Sequence, residues 1–381
     1  MIKRIYNKNI KFQKVLFLSF LLAFSIPCSP QSVQLTSGGP SPVKIVAVGD
    51  IMSHQTQIDS AYSKECDCWE FSEVFQEVAP IISEADLAVG NLETTLPGDP
   101  KQYTGYPQFG APDSLAKAIK DIGFDVLSTA NNHSCDKGKL GVVRTVSVLE
   151  DLGIRHLGTY RTKEEYDKNR ILQVSVGDLN LVFLDYTYGT NGLEVPPGTV
   201  VNLIDKELIA TDIALAKKSK PDGIVVMYHF GTEYLHEPDP FQVEMVDHAF
   251  QSGADIVLGG HPHSLQRFGK KIVKDKFGLE KERFFIYSLG NFISGQDRRY
   301  VDGGIILKFS LSKEDGKLTV SDINYEPVWV YIDRTGSKTQ FRLLPVRKYL
   351  SNDQPRKLPE NAFLRMKQFY KDTTDRLGNP K

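Results

Sequence analysis

The sequence predicts an α/β protein built on a mixed sheet or a sandwich of two, and three observations lead there. Apolar, β-branched runs alternate with amphipathic helical stripes from Val43 onward, the pattern of βαβ units. The last third turns strand-rich, so the parallel part is closed by antiparallel strands. Polar side chains gather wherever a predicted strand ends, which is where α/β sheets place their ligands. With 381 residues, 41% hydrophobic and 24% charged, the chain has ample core and an ordinary globular composition. That composition excludes intrinsic disorder, a collagen-like repeat and a polytopic membrane protein.

Each element follows from its local pattern. Lys44 to Val48 reads as a buried strand halted by Gly49-Asp50. A stripe through Val74, Phe75, Val78, Ile81 and Ile82 predicts a helix over 71–82, followed by a second strand at 86–89. Pro112 near the start and Gly123 at the stop bracket a helix over 112–122. A third strand at 125–130 and a third helix at 140–152 come next. Leu172 to Val176 and Leu179 to Leu184 flank Gly177-Asp178, a hairpin signature. Helix 205–217, strand 223–227, helix 241–250 and strand 255–258 continue the alternation. Strands at 284–287, 304–309 and 318–325 complete a domain spanning 43–346, and the polar segment 347–381 reads as a peripheral tail.

The first 27 residues are a different kind of sequence. Lys3, Arg4, Lys8, Lys11 and Lys14 precede an apolar run from Val15 to Ile26, with no acid among them. That run falls short of the roughly 20 residues a membrane-spanning helix needs, and a basic flank before a short apolar stretch is the pattern of an export signal. The expectation is an exported, envelope-located protein that meets the membrane through this leader or a lipid anchor. Cys28 opens a Ser-Pro-Gln-Ser stretch, as at a bacterial lipoprotein junction, but Pro27 stands where a small residue normally precedes an acylated cysteine. Acylation at Cys28, cleavage nearby and an uncleaved anchor all stay open, with 28–42 a Ser/Pro/Gly-rich linker. The whole chain carries 46 basic and 47 acidic side chains; without residues 1–27 the balance is 41 to 47, a net of −6. Such a domain gives no reason to expect nucleic acid as a partner. A polyanion would have to be held by metal or by local basic residues. Among Cys66, Cys68 and Cys135 no pair has zinc-ribbon spacing. A Cys66–Cys68 bridge is expected to be strained at so short a separation, and pairing of Cys135 with either one stays open.

The residues at the strand ends carry a chemistry. Asp50 follows the first strand, Asn91 and Glu93 the second, and Asn131, Asn132 and His133 the third. His229 follows a later strand, and His261 and His263 the next, in Gly-Gly-His-Pro-His. Taken singly, Asp50 also suits a helix N-cap, Glu93 a solvated loop acid, Asn132 a turn cap and His229 a hydrogen-bonded core histidine. Together, imidazole with carboxylate and amide oxygen suits Mn, Zn or Fe rather than an all-oxygen calcium site. So many candidate ligands fit two adjacent metals better than one. Two-metal sites clamp the attacking and leaving oxygens of a displacement, and His133 stands where it can protonate a leaving group. His156, His236 and His248 read as surface or structural residues, and His54 is ambiguous.

The motifs have an order. Val-Gly-Asp-Ile-Met, Gly-Asn-Leu-Glu, Ala-Asn-Asn-His-Ser-Cys-Asp-Lys-Gly, Tyr-Thr-Tyr-Gly-Thr-Asn-Gly, His-Phe-Gly-Thr-Glu-Tyr, Gly-Gly-His-Pro-His and Tyr-Ser-Leu-Gly-Asn-Phe follow one another between Lys44 and Phe309. The series resembles the CapA family of bacterial capsule and poly-γ-glutamate biosynthesis proteins, related in fold to calcineurin-like metallophosphoesterases. That resemblance implies a four-layer α/β/β/α sandwich with a pair of mixed sheets, two divalent transition-metal ions (Mn, Zn or Fe) and an envelope-tethered location. It implies Asp50, Glu93, Asn132, His229, His261 and His263 as metal ligands and His133 as the leaving-group acid. Glu93 is the favoured bridge, because a bridge needs an anionic oxygen. Asn91, Tyr188, Asn191 and Glu233 become candidates to line a substrate site, although Tyr186 and Tyr188 suit a core equally well. Met52 stands where the metallophosphoesterases usually have a histidine two residues after the first aspartate. The implied partners are an anionic polymer or small-molecule substrate and a membrane-bound polymer synthesis complex. Three functions follow: capsular polymer synthesis or export, metal-dependent hydrolysis of a phosphoester or an amide polymer such as polyglutamate, or polymer binding around a vestigial metal site.

Overall fold

A computed structural model describes residues 41–351 and 357–380. The leader, Cys28 and nearly all of the expected linker lie outside the described residues. Strands of three residues or more are β1 (Val43–Ile51), β2 (Leu87–Leu92), β3 (Val126–Ser128), β4 (Arg155–Leu157), β5 (Leu172–Val176), β6 (Leu179–Thr187) and β7 (Gly223–His229). They continue with β8 (Ile256–Gly260), β9 (Leu265–Lys274), β10 (Glu280–Leu289), β11 (Asn291–Ile293), β12 (Gly303–Glu314), β13 (Lys317–Asp333) and β14 (Gln340–Pro345). An eight-stranded sheet has the order β14-β13-β12-β1-β2-β3-β4, with β11 also pairing to β1, and a six-stranded sheet has the order β9-β10-β8-β7-β6-β5. Both are mixed. Neighbours β1 to β4 run parallel, as do β6-β7-β8-β10, while β12 to β14, β5 and β9 close them antiparallel.

Burial on both faces explains why these strands read as near-continuous apolar runs. In β1, Val43, Ile45 and Ala47 point between the sheets, and Val46 and Val48 point away. Leu179, Leu181 and Phe183 of β6 meet the first set, while Val182, Leu184 and Tyr186 face outward. The period of two thus serves two separate cores. Helices α1 (Asp113–Asp121) and α2 (Gly138–Asp151) cover the outer face of the larger sheet through Leu115, Ile119 and Leu149. Helices α3 (Lys206–Lys218) and α4 (Pro240–Ser252) cover the smaller one through Ile209, Ile213, Val246 and Phe250. Asp205 caps α3, and Asp239 with Gln242 forms a capping box on α4, which fixes where both begin. The four layers are α/β/β/α, with both sheets mixed.

Local differences have local causes. The helix expected over 71–82 is two short ones, Ser72–Phe75 and Ala79–Ser83, because Pro80 fits only a first helical turn. Phe75, Val78 and Ile82 are buried nonetheless. Strand β9 lies at a sheet edge, where Lys270, Lys274 and Ile272 are exposed and blur the apolar pattern. The C-terminal segment contributes a helix, α5 (Glu360–Leu377), that buries Ala362, Met366 and Phe369 against Trp329 and Tyr331 of β13. Cys66 and Cys68 are joined, because Asp67 between them turns left-handed (φ 52°) and their Cα atoms stand 5.2 Å apart, an ordinary bridging distance. Cys135 is buried and free.

A buried ion network fastens β10 to the start of β8. Arg283 Nη1 lies 3.1 Å from Asp255, its Nη2 lies 2.8 Å from Asp275, and the Arg283 and Asp275 side chains are fully buried. Removing Arg283 leaves the fully buried Asp275 with only backbone N–H donors and Lys217 at 3.9 Å, while Asp255 keeps Lys281. Arg283→Leu should therefore lower the unfolding free energy by about 3–5 kcal/mol, as read from urea titration. A loss below about 1 kcal/mol, the range of surface pairs, would contradict this account.

Candidate metal centre

The carboxyl ends of β1, β2, β7 and β8 converge, and two glycines let them do so. Strand β1 shifts register between Ala47 and Asp50, and Asp50 then pairs with Asn91 on one side and Asn291 on the other. A Cβ on Gly49, inside this irregularity, would fall 1.9 Å from the Gly290 carbonyl oxygen. On the facing sheet, a Cβ on Gly260 would stand 2.7 Å from Asp50 Oδ1. An aspartate of one sheet can thereby touch the histidine loop of the other. That loop is itself held left-handed, with φ 95° at His261 and 58° at His263. Such a backbone is uncommon outside glycine and costs about 1–3 kcal/mol per residue, a cost found where side chains must be aimed.

Two groups of donors result. Glu93, His229 and His261 form one, and Asp50, Glu93 and His263 the other, with the ligand atoms of each group within 4.8 Å of one another. Glu93 belongs to both. Asn132 Oδ1 joins the first group, 2.6 Å from His229 Nε2. In the second group Asp50 Oδ2 lies 3.2 Å from His263 Nδ1 and accepts the His261 backbone N–H at 3.2 Å. Asn91 is a strut beneath them. It donates to Asp50 Oδ1 at 2.9 Å, lies 3.2 Å from His229 Nδ1, and accepts from Ser128 and Asn131 at 3.1 Å each. Asn91 therefore sits below the donors and not on a cleft wall.

Charge in this pocket is unevenly shared. Burial alone would raise the Asp50 carboxyl, but the His263 hydrogen bond and the charges of His229 and His263 hold it below its usual 3.8. Burial depresses His263, yet the Glu93 charge and the Asp50 hydrogen bond push it up to about 9. For His261, burial and then the neighbouring histidines act together and keep it well below 6.5, neutral and with a free lone pair. Both Glu93 oxygens and His261 Nδ1 are buried without a hydrogen-bond partner. His229 Nε2 comes within 3.4 Å of Glu93, but Asn132 engages that nitrogen at 2.6 Å. An unpaired buried carboxylate costs several kcal/mol. Divalent cations would use these lone pairs, and carboxylate, imidazole and amide donors together suit Mn, Zn or Fe. The residues fit such ions.

His133 stands beside the donor groups. Its Nδ1 lies 2.6 Å from Asp136 Oδ2, and Phe109 packs edge-on against its ring at 4.5 Å. The carboxylate fixes the Nδ1–H tautomer and leaves Nε2 free for the cleft. The cleft holds about 470 Å³ and is lined by Tyr106, Asn132, His133, Asn191, Glu233 and Tyr234, among others. Asn191 also accepts from Asn132 Nδ2 at 3.2 Å. Tyr188 is no core residue: it is 42% exposed and packs on His261 at 4.5 Å. His54 belongs to neither donor group. Its Nδ1 accepts the Gly295 N–H at 3.1 Å and its ring meets Phe109, while Met52 is buried. Asp136 was not among the residues singled out in the sequence, although it lies in the same motif as His133, at i+3. Phe109 arrives from a distant loop and left no local signal, whereas Tyr234 closes the His-Phe-Gly-Thr-Glu-Tyr motif that begins at His229.

A family model described as bacterial capsule synthesis protein PGA_cap matches residues 44–296. The chain is 30% identical over 262 residues to the capsule biosynthesis protein CapA of Bacillus anthracis, covering 65% of this chain and 59% of that protein. It is 26% identical over 352 residues to the PGA biosynthesis protein CapA of Bacillus subtilis (strain 168), covering 90% and 88% respectively. The chain thus spans about three fifths of the first relative's length and most of the second's. Among solved structures, the NAD nucleotidase NadN of Haemophilus influenzae aligns with a TM-score of 0.51 at 13% identity, covering 89% of this chain and 64% of that one. This is a likeness of fold alone. The family match is one continuous span over about two thirds of the sequence, and the chain belongs to the PGA_cap family of bacterial capsule synthesis proteins.

Proposed function

We propose that this protein serves the synthesis or export of an anionic capsular polymer of the poly-γ-glutamate kind, at the bacterial cell envelope and through a dinuclear metal centre. One observation carries the reading: Glu93, fully buried with both oxygens unpartnered, is common to two groups of metal-type donors. Asp50, Glu93 and His263 would hold one ion, and Glu93, Asn132, His229 and His261 the other, with Mn, Zn or Fe the suitable ions. Such ions, when bound, supply Lewis acidity and positive charge to substrate oxygens. Positive charge is what a domain of net −6 lacks for holding a polyanion. The leader pattern of residues 1–27 supports export, with attachment through that segment or through Cys28, beside a membrane-bound polymer synthesis complex. Asn191 and Glu233 line the cleft around the substrate, Tyr188 packs on His261, and Asn91 steadies Asp50 and His229 from below.

Hydrolysis of a phosphoester or of an amide polymer is the second reading, and the His133–Asp136 pair favours it. A domain that only holds polymer has no use for an imidazole whose tautomer is fixed by a buried carboxylate at the edge of a cleft. In hydrolysis, Asp136 holds the Nδ1 proton and stabilises the imidazolium form, whose Nε2–H proton passes to the departing oxygen or nitrogen and leaves a neutral ring.

Titrating Mn²⁺ into the chelator-stripped full chain by calorimetry should give about two sites per chain. His263 carries a proton at pH 7 in the metal-free protein, so binding should release about one proton in this step, seen as a heat that varies with the buffer's ionisation enthalpy. Raising the pH through about 9 should remove that release, because His263 is then already neutral. Absence of stoichiometric binding would overturn the metal-dependent reading. For the second reading, metal-loaded protein is assayed on a chromogenic phosphodiester and on poly-γ-glutamate. His133→Ala should lower turnover about 10²- to 10⁴-fold with metal content unchanged, and Asp136→Asn should follow it in part. No turnover of either substrate leaves the synthesis or export role without hydrolysis.

A further inference from the structure

We propose that Arg298, stacked on Tyr234 at the mouth of the cleft, binds an oxyanionic substituent of the substrate, a carboxylate in the first instance. The inference rests on the polymer reading above and names the side chain that recognises the polymer's charge. Tyr234 is pinned by its backbone. Its φ of 67° is costly for a bulky residue, and its N–H donates at 2.8 Å to the carbonyl of Pro262, between His261 and His263. The Tyr234 ring lines the same cleft as Asn132 and His133, with its centroid 5.9 Å from that of His263. The Arg298 guanidinium carbon lies 3.8 Å from the centroid of this ring. Stacking fixes the guanidinium plane and leaves its N–H edge for a planar, bidentate acceptor.

Among the described residues Arg298 has no anion of its own. Arg299 next to it is clamped by Asp372 at 2.8 and 2.7 Å, Arg334 by Asp297 at 2.7 Å and Arg365 by Asp302 at 2.9 Å. Among the described residues no carboxylate lies within ion-pair distance of Arg298. The side chain is exposed and free to meet a ligand. Glu233 on the cleft wall repels an approaching anion, and a domain of net −6 does so at longer range. A polymer with one free carboxylate per residue therefore needs a cationic contact outside the metal centre, and Arg298 supplies it. Its position, just past the span 44–296 common to the family model, makes it a feature that can set this chain's own preference.

The test uses the Mn-loaded full chain and two probes, poly-γ-glutamate and inorganic phosphate, with affinities measured for wild type, Arg298→Gln and Arg298→Lys. Arg298→Gln should weaken polymer binding at least about tenfold, a loss typical of one charge-assisted contact, with metal content unchanged. Arg298→Lys should fall between, because it keeps the charge and loses the planar fork. Phosphate affinity unchanged in Arg298→Gln identifies the carboxylate as the recognised group. Equal loss for both probes supports the oxyanion site with phosphate as its ligand. Wild-type affinity for both probes in Arg298→Gln overturns the role of Arg298 and leaves the polymer reading standing. If wild type binds neither probe, the polymer reading itself falls and the inference with it.

Discussion

The carboxylate of Glu93 is buried with neither oxygen hydrogen-bonded, in a position reached by histidines and an aspartate from two different sheets. A carboxylate so buried needs positive charge beside it, and among the described residues no hydrogen bond compensates it. The surrounding arrangement is organised by this requirement. Asn91 holds Asp50 and His229 from below, Asn132 holds His229 from the side, and His261 keeps a lone pair uncommitted. Replacing Glu93 by a neutral residue would remove the one anionic group that both donor sets have in common.

The fold delivers these groups through strand direction. Parallel strands in each sheet end at the same edge, and stacking the sheets face to face brings the two sets of carboxyl ends together. The apolar layer between them, from Val43, Ile45 and Ala47 to Leu179, Leu181 and Phe183, fixes their separation. Strain in the His261–His263 loop, about 1–3 kcal/mol per left-handed residue, is of the size that one or two buried leucine-sized side chains contribute, about 1.5–3 kcal/mol each. A rigid sandwich can therefore carry a strained loop at its edge. The rim is organised differently: Tyr188, Tyr234, Asn191 and Arg298 come from loops, where recognition can vary without disturbing the donors beneath.

Much of this was legible in the chain. The strands buried on both faces and their helices follow from continuous apolar runs and amphipathic stripes, and Asp50, Glu93, Asn132, His229, His261 and His263 stand out because each follows a predicted strand. Order along the chain does not reveal which donor meets which, and here the sheets' stacking decides: Glu93 is shared because β2 ends beside β1, within reach of histidines from the facing sheet. Edge strand β9 and helix α5 were hidden by exposed lysines and by a polar surround, since only one stripe of each is buried. Asn91 looked like a substrate contact because it lies in a motif, whereas its register opposite Asp50 makes it a strut. Asp136 needed only the i+3 spacing from His133 to be found. Phe109 and Arg298 needed the tertiary fold.

Sharing of Glu93 between two cations is the central claim, and anomalous diffraction tests it directly. Crystals of the full chain grown with Mn²⁺ should give two anomalous peaks at the manganese edge, one on each side of the Glu93 carboxylate. One peak should neighbour Asp50 and His263, and the other Asn132, His229 and His261. A single peak, or peaks that leave Glu93 without a metal neighbour, would contradict the account.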